Sequence, residues 1–238
     1  MRKTNFAIGS LLLASMASLG MADNVFAKAA DDKQPSVAPT FVIEEDVWVR
    51  FVEEPSDHMK RAHENFLKKD FKAAAHDLWL AGGFLHAAAS NAVGDARTAL
   101  TASAREIDQL AKDVEAGGVK SVTTLENAFA RAEHALAHHH HTMAKTAIRN
   151  QRGRTGGHYL RSATNHVENA ARWTGHKLEA GAEATANGVR MVAGRLVEGT
   201  GFVPDEVGKG VTWVGTEIEK LGKVIEPHQR PGAVSAIR

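Results

Sequence analysis

Cysteine is absent from this chain of 238 residues. The absence excludes disulfides, c-type haem attachment, any thiolate metal site and lipid attachment at a processed N-terminal cysteine. An excess of charge of one sign is also missing. The 29 Lys and Arg stand against 28 Asp and Glu, which leaves no electrostatic case for nucleic acid. Beyond the first thirty residues no apolar run is long enough to cross a bilayer. Catalytic signatures are lacking too: there is no H-E-x-x-H, no G-x-S-x-G, no phosphate-cradling glycine loop and no Glu-x-x-His pair of a di-iron bundle. The serines are scattered, none in the setting of a nucleophile. The sequence reads as a non-enzyme.

What is present begins with a leader. Arg2 and Lys3 precede an apolar stretch from Phe6 to Ala22, and Ala27-Lys28-Ala29 supplies an A-x-A cleavage pattern. This is the make-up of a secretory signal over residues 1–29, cleaved near Ala29, which assigns the mature chain to the periplasm. Cleavage removes Arg2, Lys3, Lys28 and Asp23 and takes the net charge from +1 to −1. An exported chain without disulfides must be held by core burial alone. Residues 30–40, polar and carrying Pro35 and Pro39, read as a flexible leader.

Phe41, Ile43, Val47, Val49 and Phe51 alternate, so 41–52 is expected to form a strand, folded back at Glu44-Glu45-Asp46 as a hairpin or paired with a second copy of the chain. Helical periodicity then takes over. Pro55-Ser56 reads as a start signal for a first helix to about 69. A second runs from Asp70 to about 93 on the seam Phe71, Ala74, Leu78, Leu85, Ala89. The run from Ala62 through Asp70-Phe71 to Ala74 and Ala81 resembles one tetratricopeptide-type helix pair. It covers about thirty residues without recurring, which implies an αα-hairpin and not a solenoid. A third helix is expected over 95–116, and a fourth from the capping box Thr123-x-x-Glu126 to about 150, completing a bundle core over 56–150. Arg152-Gly-Arg-Thr-Gly-Gly157 reads as a basic interhelical loop. From 158 to 198 one apolar stripe continues, with a break expected among Gly175, Gly181, Gly188 and Gly194. Pro204 opens a last amphipathic helix to about 226, leaving 227–238 as a tail.

Gly194, Gly201, Gly208, Gly215 and Gly222 recur every seven residues beside the last helix's seam of Val207, Val211, Val214, Ile218, Leu221 and Ile225. A missing side chain there lets another backbone approach closely, so the glycines are expected to pack this extension on the bundle. The alternative is contact with a membrane surface through residues 205–225, or with a partner protein. A homodimer would answer the unpaired strand.

The histidines carry the functional expectation. Of 13, five fall within eight residues: His134, His138, His139, His140 and His141. At about 100° per residue, His139 falls in the apolar seam of the fourth helix and His140 at its border, whereas His134, His138 and His141 fall opposite at i, i+4, i+7. That outward spacing presents imidazoles to one ion, and neutral imidazole suits Zn, Cu or Ni. The inward rings, with His63, His86 and His166 on or beside inner faces and Trp79 and Trp173 alongside, form a second set for a metal ion or a b-type haem. The expectation is an all-α antiparallel bundle of about six helices with a short N-terminal strand or hairpin and a glycine-rich C-terminal helical extension. Its expected role is periplasmic binding of a late transition metal for buffering or sensing. An envelope-stress or scaffold protein acting through protein or membrane-surface contacts is the alternative.

Overall fold

Asp70, Gly181 and Pro204 sit where helices begin in the computed structural model, which describes residues 45–176 and 181–225. The described residues are all-helical: α1 (Glu45–Leu67), α2 (Phe71–Asn91), α3 (Gly94–Glu115), α4 (Val122–Arg149), α5 (Gly153–Trp173), α6 (Ala182–Glu198) and α7 (Pro204–Val224). The expected signal, leader and tail lie outside the described residues, as do 41–44 of the expected strand.

The rest of that strand is helix. Residues 45–51 open α1, which runs on through Pro55. Trp48, Val52, Pro55, Met59, Ala62 and Phe66 are spaced 4-3-4-3-4 in the sequence, so a helical period was written over the same residues as the alternation. Proline in a helix interior forgoes one hydrogen bond to the preceding turn. Ser56 is therefore no cap but a buried residue within α1.

Other boundaries follow local chemistry. The Asp70 carboxylate accepts from the Ala73 N–H at 3.1 Å and caps α2. Ser121, two residues ahead of the expected capping box, accepts from the Thr123 N–H and caps α4. The glycines at 153, 156 and 157 lie inside the first turns of α5 and not in a loop. A Cβ at Gly157 would stand 2.5 Å from the Ala193 carbonyl oxygen, so this glycine lets α6 lie directly on α5. The long apolar stripe is divided as its glycines require: Gly175 and Gly181 both take positive φ, 64° and 88°, between α5 and α6. Among the described residues seven helices stand in place of the expected six for this reason.

Two apolar cores share one helix. The first gathers Met59 and Phe66 of α1, Leu78 and Leu85 of α2, Leu100 and Ile107 of α3, and Leu125, Phe129 and Leu136 of α4. The second joins Ala137 and Ala144 of α4 to Leu160 and Val167 of α5, Val189 of α6, and Val214, Ile218 and Leu221 of α7. α4 packs on α3, α5 and α7, and it buries residues on nearly every side. The changeover between cores falls between Leu136 and Ala137, at the edge of the histidine run.

Candidate functional site: a buried imidazole–carboxylate cluster

The changeover is polar. Glu133, His139 and His140 of α4, His166 of α5 and Ser56 of α1 are all buried there. His166 and Glu133 are sealed from solvent, with side-chain exposures of 1% and 0%. His166 Nδ1 lies 2.6 Å from Glu133 Oε2, and Ser56 Oγ stands 3.3 Å from the same nitrogen. A carboxylate oxygen accepts, so Nδ1 carries the hydrogen, and Nε2 faces away from the carboxylate. That Nε2, Glu133 Oε1 and His140 Nδ1 meet no hydrogen-bond partner within the protein. A buried polar atom left without a partner costs about 1–3 kcal/mol, so three in one spot are an expense the fold has retained.

The rings stand together. His140 stacks on His166 at 5.0 Å between centroids and lies 5.1 Å from His139, with Tyr159 of α5 at 5.8 Å on the His140 ring. Burial disfavours charge on His139 and His140. It pushes His139 down to about 4, helped by the nearby His166 and His138. Burial, with His166 and His139 adding, holds His140 well below the usual histidine range. Burial also raises the Tyr159 hydroxyl, against the opposing pull of Arg152. The cluster thus sets two imidazoles kept neutral by burial, His139 and His140, beside the His166–Glu133 pair. Ser56, His166 and Glu133 have the composition of a hydrolase triad but not its geometry. The serine and the carboxylate face the same ring nitrogen, where a relay needs one on each.

The outward stripe is not outward. α7 lies across that side of α4, and His134 Nε2 donates to the Ile218 carbonyl while His141 Nε2 donates to the Val211 carbonyl, both at 2.9 Å. Burial lowers the pKa of both rings, opposed by these backbone bonds; His138 lowers both, and Lys145 lowers His141. His138 is half-buried between them. The second expected set does not assemble either. His63 Nε2 pairs with Glu126 of α4 at 3.1 Å and its ring meets Trp173, while His86 Nε2 pairs with Asp108 of α3 at 2.8 Å. Only His166 of that set joins the run. Among the described residues no three His, Asp or Glu side chains stand as a ready-made metal cluster.

Sequence reasoning passed over Glu133. The signal was present, since Phe129, Glu133, Leu136 and His140 are spaced 4-3-4, which puts a carboxylate on an apolar stripe. Ser56 and Tyr159 had no comparable signal, because their place depends on which helices adjoin.

Fold and site together define a class: an all-helical bundle enclosing imidazoles and a carboxylate at the junction of two cores. No family model, curated protein or solved structure matches the chain. No helix among the described residues is long and apolar enough to cross a membrane.

Proposed function

We propose that this is an exported helical bundle that binds a late transition metal ion, Zn, Cu or Ni, at the buried cluster of His140 and His166, with His139 as the adjoining ligand. One observation carries the reading. His166 is held on one nitrogen by Glu133 and is unpartnered on the other, beside the unpartnered His140 Nδ1. A carboxylate on the far nitrogen is how proteins orient a metal-ligating imidazole and raise its basicity. Two imidazoles sharing one tetrahedral ion have centroids about 5 Å apart, from metal–nitrogen bonds of about 2.1 Å. The His140–His166 separation of 5.0 Å lies in that range. Their near-parallel planes do not yet converge on one point, so binding requires the rings to turn about their χ angles, and His139 with them. Neutral imidazoles suit this chemistry because no proton has to be displaced from the ligating nitrogen.

A haem does not fit these residues. Axial imidazoles approach a macrocycle end-on from opposite faces, whereas His140 and His166 stack on each other with Tyr159 against His140. Calorimetric titration of the metal-free mature chain with Zn(II), Cu(II) and Ni(II) tests the proposal. H140A and H166A should each lose one equivalent of bound metal or weaken it at least tenfold, while H63A and H86A bind as the parent does. Binding no tighter than millimolar, or binding indifferent to both core substitutions, would refute it.

A further inference from the structure

The two bonds that fasten α7 to α4 have the same construction. His134 donates to the carbonyl of Ile218, and its ring would stand 3.2 Å from a Cβ at Gly222. His141 donates to the carbonyl of Val211, and its ring would stand 3.0 Å from a Cβ at Gly215. In each case the carbonyl lies four residues before the glycine. That carbonyl already accepts from the glycine's own N–H in the helix, and its second lone pair is open to a ring because the glycine has no side chain in the way. The histidines are seven apart, the glycines are seven apart, and the order is reversed, so α7 runs antiparallel to α4. Two of the five glycines of the seven-residue series, Gly215 and Gly222, thus have partners of equal period.

This latch takes one nitrogen, Nε2, of each ring. A backbone carbonyl can only accept, so Nε2 of His134 and of His141 must carry a hydrogen while α7 is docked. His138, the remaining member of the i, i+4, i+7 stripe, lies between them and is half-buried. Released from α7, His134 and His138 at i, i+4 can ligate one ion, with His141 one turn further on. The other features of α7 suit an element that can leave. Its large buried apolar side chains are four, Val207, Val214, Ile218 and Leu221. It is joined to α6 through Gly199 and Gly201, both at positive φ, 74° and 68°.

We infer that the His134–His138–His141 stripe is a second late-transition-metal site that takes its ion through Nε2 and is masked by α7, so that metal binding and α7 docking exclude one another. By linkage each must then weaken the other by the same factor. An ion held through Nε2 needs the other tautomer, with the ring hydrogen on Nδ1, and that tautomer cannot donate to the α7 carbonyls. This site shares no residue with the buried cluster, and the inference stands or falls separately from it.

The test exploits the absence of cysteine. Spin labels at Glu115→Cys and Lys223→Cys, both exposed, report the distance from α3 to α7 in the full mature chain. Labels at Glu115→Cys and Arg149→Cys report α3 to α4 as a control. Saturating Zn(II) should broaden or lengthen the first distance and leave the second unchanged. H134Q/H141Q keeps an N–H donor for each carbonyl but offers no imidazole, so α7 should stay docked with or without Zn(II). H138A leaves the latch intact and removes a ligand, and should raise the Zn(II) concentration needed for release at least tenfold. G215A/G222A should loosen α7 without metal and tighten Zn(II) binding. An α3–α7 distance indifferent to Zn(II), or one that responds equally in H134Q/H141Q, overturns the inference. In H140A/H166A the α7 response should persist. If it vanishes there, the metal acts through the buried cluster, and the stripe is not the site.

Discussion

Glu133 shows how much a single buried residue can decide. It lies on the apolar stripe of α4 with one oxygen on His166 and the other unpartnered. Replacing it by glutamine keeps an acceptor for the His166 Nδ1 hydrogen at similar volume, so E133Q should lose little stability. Replacing it by alanine strands that hydrogen and opens a hole, at a cost of about 2–4 kcal/mol. Urea midpoints of E133Q and E133A against the parent separate these outcomes. Equal losses in both would mean that the carboxylate does not hold the ring. The histidines were legible in the sequence as residues, and the burial of His139 and His140 followed from their place on the α4 seam. That His134 and His141 are covered was not legible, because a helical wheel gives direction and not neighbours. A wheel assumes one wet side, and α4 has almost none.

At the scale of elements, glycines separate close approaches from mere interruptions. Gly157 meets the backbone of α6, where an added methyl would stand 2.5 Å from Ala193 O and 2.9 Å from Leu196 Cβ. Backbone cannot swing aside as a side-chain tip can, so G157A should push α5 and α6 apart and destabilise by about 1–3 kcal/mol. Gly188, in the middle of α6, has nothing within 4 Å of its missing Cβ. G188A should therefore stabilise by about 0.5–1 kcal/mol through helix propensity alone. The pair is read by thermal melting: the two Tm shifts should have opposite signs. The same local reasoning explains which boundaries the sequence could reveal. Asp70 and Pro204 act through their own side chains and mark true helix starts. The segment at 45–51 supports both a period of two and a helical one, and only the helix that continues it through Met59 and Phe66 decides between them.

For the whole molecule, the decisive property is that its interior holds bases kept neutral by burial. His134, His139, His140 and His141 all have pKa values lowered from 6.5. In the metal-free chain this fixes the direction of the pH dependence. Above pH 6.5 these imidazoles are neutral in both folded and unfolded chains, and stability is complete. As pH falls below 6.5 the unfolded chain takes up protons that the folded chain refuses, so stability drops. For His139 the loss continues until its folded value of about 4, and that span amounts to about 3 kcal/mol at 1.36 kcal/mol per unit. The other three rings add in the same direction. Urea midpoints should therefore fall between pH 6.5 and 5, a window above the range in which ordinary carboxylates titrate. H139L/H140L, which replaces two of the buried bases with hydrocarbon, should flatten that slope, and a parent midpoint that stays level across the window would contradict the burial on which it rests. A chain without cysteine has no disulfide to keep it closed while its core takes up protons, so acid should open this bundle from the changeover between the two cores that α4 joins, where the imidazoles lie.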